Sequence, residues 1–249
     1  MVDHLSYSSI TAYLSCPRSW QFKYVEKAPT YATPELAFGS AIHEAVEKYV
    51  QQPIGERQPA TAFWSSAWAS ATERQPVVWG ADNKEAHYNK GMDILSNEQI
   101  IYNLNTLQAT KIEEKVELRV PGVPIPIIGY IDIQTEDGIP GDFKTSARSW
   151  TQDRAQSETQ SLFYLAALNQ AGRTVPGWKF RHYIIVKTKT PQWQVFEHSH
   201  SPGEVFWLFG MIAAVWKGIE AGVFPENPGS WKCSANYCDF WTKCRGRFL

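Results

Sequence analysis

No stretch of the 249 residues stays apolar for the roughly 20 positions a membrane-spanning helix needs. The start, Met1-Val2-Asp3-His4, lacks the positive charges and apolar run of a secretory signal. The chain is therefore expected to be soluble and cytoplasmic. Net charge is missing too. Lys and Arg number 24 and Asp and Glu 25, leaving −1 at pH 7, so no global positive field announces a nucleic-acid partner. Such a partner has to be argued from local clusters: Arg18, Lys23 and Lys27; Arg148 and Arg154; and Lys232, Lys243, Arg245 and Arg247. There is no internal repeat and no low-complexity segment, and cysteine is limited to four residues. Aromatics are plentiful: 11 Trp in a 14% aromatic chain suit a packed core and also base-stacking surfaces. With 43% hydrophobic residues the chain can bury one large domain, or one domain with a helical insertion.

Apolar periodicity divides the chain into helical and strand-rich parts. Residues 7–25 open with Ser and Thr cap candidates and read as two short helices, the second started by Pro17. Pro34-Glu35 leads into a helix of about sixteen residues, and further helical patterns cover 60–73 and 84–109. Val- and Ile-rich segments at 111–120, 126–135 and 139–145, separated by Pro and Gly, predict three strands. A helix at 156–171, strands at 179–187 and 192–199, and a helix at 203–221 follow, ahead of a Pro/Gly-rich tail. The order predicts an α/β fold, with a helical insertion ahead of its sheet.

The densest chemistry lies in Gly129-Tyr-Ile-Asp132 and Gly141-Asp142-Phe-Lys144-Thr145. Glu136-Asp137-Gly138 between them makes a good three-residue hairpin loop, with Gly where a left-handed residue is wanted. That loop sets Thr135 against Ile139 and Asp132 directly opposite Asp142, on one sheet face at roughly 4.5–5.5 Å. Lys144, two residues past Asp142, shares the face. Two carboxylates that close repel unless a cation lies between them. Hard oxygen donors on a partly open site suit Mg²⁺ or Mn²⁺, and Lys144 would orient a water or stabilise charge on a phosphate. An ordinary surface Asp–Lys pair is the plainer alternative.

On the helix before the sheet, Phe38, Ile42, Ala45, Val46 and Tyr49 form an apolar arc. His43 lies at its edge, one turn after Gly39 and one turn before Glu47, where it would either ligate a metal or serve the packing. Gln160 and Tyr164 share a helix face by their i, i+4 spacing, which suits phosphate or sugar contacts or simple packing. Glu113 and Glu114 are further candidate carboxylates. Cys16, Cys233, Cys238 and Cys244 place three thiols within the last seventeen residues and one near the start. In a cytosolic protein such clustering points to a metal rather than disulfides, either tetrahedral Zn²⁺ or an iron–sulfur cluster.

Taken in order, Cys16-Pro-Arg, Gly39-x3-His43, Gly129-x2-Asp132, Asp142-x-Lys144-Thr145, Gln160-x3-Tyr164 and the terminal cysteine trio resemble the RecB-like PD-(D/E)XK nucleases. That group includes the AddB nuclease domain, the CRISPR-associated adaptation nuclease and phage exonucleases. The resemblance spans nearly the whole chain. It implies a mixed sheet flanked by helices in a single domain, 1–249, with cluster-binding ends at 1–34 and 222–249, an insertion at 52–110 and a catalytic core at 111–200. It further implies that His43, Asp132, Asp142 and the main-chain carbonyl of Phe143 hold Mg²⁺ or Mn²⁺. Lys144 would be the catalytic lysine, Gln160 and Tyr164 the DNA-positioning pair, and Cys16, Cys233, Cys238 and Cys244 the ligands of a [4Fe-4S] cluster, with Zn²⁺ as the other occupant. The implied activity is exonucleolytic, on DNA ends or single strands, in recombination, repair or CRISPR adaptation, with a helicase, annealing protein or integrase as partner. Ile131 replaces the proline that names the superfamily, the first two tail cysteines are four residues apart where two are expected, and 60–109 matches no motif. A non-catalytic nucleic-acid-binding or scaffold protein with a structural metal is the competing reading.

Overall fold

The computed structural model describes residues 2–248 and gives a mixed α/β protein, a six-stranded mixed sheet flanked by helices. No helix among the described residues is long and apolar enough to cross a membrane. The chain divides into two units, 1–31 with 116–129 and 202–249, and 32–115 with 130–201.

In the first unit, the short strand β1 (Leu5–Ser6) runs parallel to the first residues of β3 (Ile127–Thr135), with Leu5 paired to Ile127. Ser6 then caps α1 (Tyr7–Ser15) in a reciprocal capping box with Ser9. Cys16 ends α1, and Pro17 opens α2 (Pro17–Trp20), which continues into a π-helical turn at Gln21–Val25. The tail after α9 (Glu204–Glu220) folds back on these helices. The Tyr13 hydroxyl donates to the Val223 carbonyl at 2.6 Å, Trp20 stacks on Phe224 at 5.8 Å, and Phe22 packs against Phe240 at 5.3 Å.

In the second unit, Thr33 caps α3 (Pro34–Val50), with Pro34 in its first turn. The helix buries Phe38, Ala41, Ile42, Ala45, Val46 and Tyr49 on one side, as a 3.6-residue period requires. Against that side pack Trp64 and Trp68 of α4 (Trp64–Glu73), Ile94 and Leu95 of α5 (Lys84–Leu95), and Ile100 and Leu104 of α6 (Glu98–Thr106). The same cluster takes Ile133, Phe143, Tyr183 and Ile185 from the sheet. At Gly39 a Cβ would come within 3.1 Å of the Thr145 hydroxyl, so glycine lets α3 lie close on the sheet.

The strands are β2 (Ala109–Leu118), β3, β4 (Pro140–Ser146), β5 (Lys179–Val186) and β6 (Gln192–Ser199). β2 pairs with β3, β3 with β4 antiparallel, β4 with β5 parallel and β5 with β6 antiparallel. The crossover from β4 to β5 contains α7 (Gln152–Gln156) and α8 (Gln160–Gln170). α8 is buried continuously from Ser161 to Leu168, as an interior helix is. Strand alternation turns Ile133 and Phe143 toward α3, and Asp142 and Lys144 to the other face, where Lys144 meets α8.

Three elements differ from the sequence-based expectation. The helical pattern 84–109 is two helices, because Asn97 takes an extended conformation and caps α6 through the Ile100 N–H. The pattern 156–171 is α8, which starts four residues later, with α7 as a separate short helix ahead of it, and the two-residue β1 carries too little periodicity to be read in advance.

Arg57 ties the ends of α3 and α6 together. Its guanidinium donates to the carbonyls of Val50 (3.3 Å), Gln52 (3.1 Å), Leu104 (2.8 Å) and Leu107 (3.0 Å). Carbonyls at and just past helix ends are those the helix itself serves poorly. Arg57→Met is expected to lower stability by about 2–4 kcal/mol, since bonds from a charged donor are the stronger ones. Chemical denaturation measures it, and an unchanged midpoint would contradict the role.

Candidate active site

The β3–β4 hairpin positions the acidic pair. Gly138 adopts φ +79°, open to glycine and costly for other residues, and the Thr135 N–H donates to the Ile139 carbonyl at 3.2 Å. The strands pair at Ile133↔Gly141 and Gln134↔Pro140, and Asp132 and Asp142 are the next residues beyond that paired stretch. Both side chains are buried. Asp132 Oδ2 accepts the Phe143 N–H at 2.7 Å, which fixes this carboxylate against the neighbouring strand.

Lys144 grips the second carboxylate, with Nζ 2.9 Å from Asp142 Oδ1 and 2.8 Å from Oδ2. The ammonium also donates to Gln160 Oε1 at 3.1 Å, and Gln160 Nε2 donates to the Tyr164 hydroxyl at 2.8 Å. Gln160 and Tyr164 therefore hold Lys144 from α8. Phe143, between Asp142 and Lys144 in the sequence, is buried, its ring edge-on to His43 at 6.1 Å.

From α3, His43 Nε2 reaches to 2.7 Å of Asp132 Oδ2 and 3.6 Å of Glu47 Oε1. One atom each from His43, Glu47 and Asp132 lie within 4.8 Å of one another. His43 Nε2, Glu47 Oε1 and Asp142 Oδ2 are all buried and face charged neighbours, His43 against Asp132 and Glu47, and Asp142 against Lys144. One nitrogen with converging carboxylate oxygens is a donor set that suits a divalent cation. The residues present thus fit such an ion. A cleft of about 440 Å³ opens beside it, lined by Ser40, His43, Glu47, Arg74 and Glu113.

The electrostatics reflect crowded like charges. Burial, then the charge of Asp142, pushes the Asp132 carboxyl up. Burial would raise Asp142 as well, yet the Lys144 ammonium holds it down at about 2. Burial opposes the charge on Lys144, and Asp142 overrides it to raise that pKa. At His43 burial works downward, but Asp132 brings the imidazole to about 9. Glu47 rises to about 8, through burial first and then the balance of nearby charges.

Glu47 and Glu113 enter the site in different ways from the sequence reading. The His43-x3-Glu47 spacing was the available signal for Glu47, since i, i+4 residues share a helix face. Glu113 lines the cleft from a backbone at φ +48°, unusual for a non-glycine strand residue. Glu114 is committed elsewhere, to an ion pair with Arg173 at 2.7 Å. Behind Asp142 lies a buried group that sequence reasoning missed altogether: His182, His198, His200 and Ser161. Burial and the adjoining imidazoles lower His198 to about 4. Of the basic candidates, Arg154 lies over Trp150 at 4.3 Å, Arg18 over Phe22 at 4.7 Å, and Lys232 over Trp231 at 5.4 Å.

The four cysteines all belong to the first unit and are free. Their segments are joined: the Arg18 N–H donates to the Pro225 carbonyl at 3.2 Å, and Asn227 Nδ2 to the Ser15 carbonyl at 2.8 Å. The thiols themselves do not converge. Among the described residues no three of their sulfurs lie within 4.8 Å of one another. A single tetrahedral Zn²⁺, with bonds of about 2.3 Å, needs sulfurs about 3.8 Å apart, which this arrangement does not provide. Burial raises the Cys238 thiol, with Cys16 and Cys233 adding to it; burial and Glu226 bring Cys244 to about 11.

The sequence profile of the PD-(D/E)XK nuclease superfamily matches residues 4–245. The fold is similar to that of a candidate exonuclease from Eubacterium rectale, with a TM-score of 0.64 at 11% identity over 98% of this chain and 88% of that one. At that identity the likeness concerns the fold. A second structure, SSO0001, aligns over 97% of this chain and 94% of that chain at 14% identity, but its TM-score of 0.39 carries no argument. No curated protein matches.

Metal binding at this site is expected to be pH-dependent. A cation needs bare ligands, and at pH 7 both His43 (about 9) and Glu47 (about 8) hold protons. Mn²⁺ should therefore release one to two protons on binding at pH 7, and bind more tightly as pH rises from about 6 to about 9. Calorimetry in buffers of different ionisation enthalpy measures this; an affinity flat across that window would contradict it.

Proposed function

The chain belongs to the PD-(D/E)XK nuclease superfamily, and from that premise we propose that it is a Mg²⁺- or Mn²⁺-dependent deoxyribonuclease of the RecB-like branch. Its substrate is DNA ends or single strands, cut exonucleolytically in recombination, repair or CRISPR adaptation. The observation that carries the reading is the convergence of His43, Glu47 and Asp132, with Asp142 and Lys144 beside them on the adjoining strand. A scaffold protein has no need to keep a histidine, three buried carboxylates and a lysine gathered in one place.

A divalent cation at these ligands would supply Lewis acidity and a water of lowered pKa. The chain's own residues do the rest. His43, Asp132 and Asp142 hold the site, Glu47 completes it, and the Phe143 carbonyl is the remaining ligand that the family resemblance implies. In the hydrolysis itself, the oxygen of water bonds to phosphorus in line as the bond to the leaving ester oxygen breaks. That oxygen takes up a proton. Lys144, held by Gln160 and Tyr164, donates to the phosphate and offsets the charge that builds on it.

For the cysteines we propose an iron–sulfur cluster, [4Fe-4S] by resemblance. A polynuclear cluster binds each thiolate at a separate iron, which suits four free thiols too open for one zinc ion. It would join the N-terminal helices to the tail.

Lys144→Ala and Asp142→Asn should each lower cleavage of end-labelled DNA by at least about 100-fold in Mn²⁺, an estimate in keeping with the usual worth of one electrostatic stabiliser. Retained cleavage in both variants would remove the hairpin from the mechanism. Protein purified without oxygen should be brown and contain iron, and Cys238→Ser should lose colour and melt earlier. A colourless, iron-free wild type would overturn the cluster.

A further inference from the structure

This inference rests on the nuclease reading and extends it to how Asp142 is aimed. In the parallel pairing of β4 with β5, His182 stands in register with Asp142. Only 1% of it is exposed, and neither ring nitrogen has a hydrogen-bond partner. Its Nδ1 lies 3.8 Å from Asp142 Oδ2, an oxygen otherwise held by the Lys144 ammonium at 2.8 Å. That gap is too long for a bond, yet a shift of under an ångström would close it.

Packing gives no reason for an imidazole here. Phe180 at 5.2 Å and Trp150 at 5.5 Å surround the ring, and a phenyl group would fill the same space without burying two unpaired nitrogens. The ring is nevertheless fixed with care. It stacks on His198 at 5.1 Å and 20°. His198 is fixed in turn by Ser161, whose hydroxyl lies 2.6 Å from the Glu158 carbonyl, 2.7 Å from His200 Nε2 and 3.1 Å from His198 Nε2. The hydroxyl has one proton and a carbonyl only accepts, so Ser161 donates to Glu158 and both histidines donate Nε2–H to Ser161. His182 faces a carboxylate, which also only accepts, so the ring presents an Nδ1–H to it.

Without a cation, Lys144 takes both oxygens of Asp142. When Lys144 turns to the phosphate, Oδ2 needs another donor. Ligating carboxylates are themselves hydrogen-bonded by groups behind them, and those groups tune metal affinity. We propose that His182 is a positioning residue, whose Nδ1–H takes over Asp142 Oδ2 when that carboxylate binds a divalent cation, with His198 and Ser161 holding the ring in plane.

The test uses the full chain and two variants. H182F keeps the ring volume and removes the donor; H182N keeps a donor near the Nδ1 position. Without DNA, calorimetric Mn²⁺ affinity should fall about 10- to 100-fold in H182F and recover to within a few-fold in H182N. The rate of DNA cleavage at saturating substrate should follow the same order. Wild-type affinity in H182F, or H182N as weak as H182F, overturns the proposal. Should H182F not fold, the imidazole resonances of the wild type decide: Mg²⁺ should shift the Nδ1–H signal of His182, and an unmoved signal overturns it. A wild type that binds Mn²⁺ but leaves DNA intact overturns the nuclease reading alone, and the variant affinities then still decide the role of His182.

Discussion

Asp132 and Asp142 bring two negative charges into one buried site from adjacent strands, and the surrounding groups are arranged around that repulsion. Lys144 neutralises one carboxylate and His43 closes on the other. The opposed shifts of the pair, Asp132 up and Asp142 down to about 2, show which of the two carries its charge more easily. Protons on His43 and Glu47 complete the balance in the cation-free protein. A divalent ion offers the same compensation with greater charge density, which is why burial that would be a liability elsewhere becomes useful here.

The fold serves this face by fixing its parts from different directions. A three-residue loop with Gly138 in the left-handed region fixes the hairpin register, and a slip of one residue would separate the carboxylates. Gly39 lets α3 approach β4 closely enough for His43 to reach Asp132. α8, buried along most of its length, brings Gln160 and Tyr164 to Lys144. In the other unit, aromatic contacts and carbonyl bonds already join the N-terminal helices to the tail, so a cluster there would reinforce a junction that packing has begun.

Local signals explain what the sequence made legible. The hairpin could be read because loop length and a glycine dictate register over a few residues, and the face of α3 could be read because its apolar period is strong. The break at Asn97 was hidden by apolar residues that keep helical spacing on both sides of it. Glu47 was in view but undervalued, since only the approach of Asp132 turns a helix-face glutamate into a ligand candidate. His182 could not be found from the sequence at all: its register with Asp142 depends on a parallel pairing across a crossover of more than thirty residues. The cysteine spacing pointed to a shared ligand set, whereas how tightly the sulfurs gather depends on tail geometry that spacing does not encode.

One cation shared by residues from a helix and two antiparallel strands would satisfy all of these groups together. Anomalous diffraction from crystals soaked in Mn²⁺ locates that ion directly. A peak in contact with His43 Nε2, Glu47 or Asp132, and Asp142 is the predicted result. A peak confined to other residues in a well-occupied soak, or Asp132 and Asp142 pointing to opposite faces of the sheet, would contradict it.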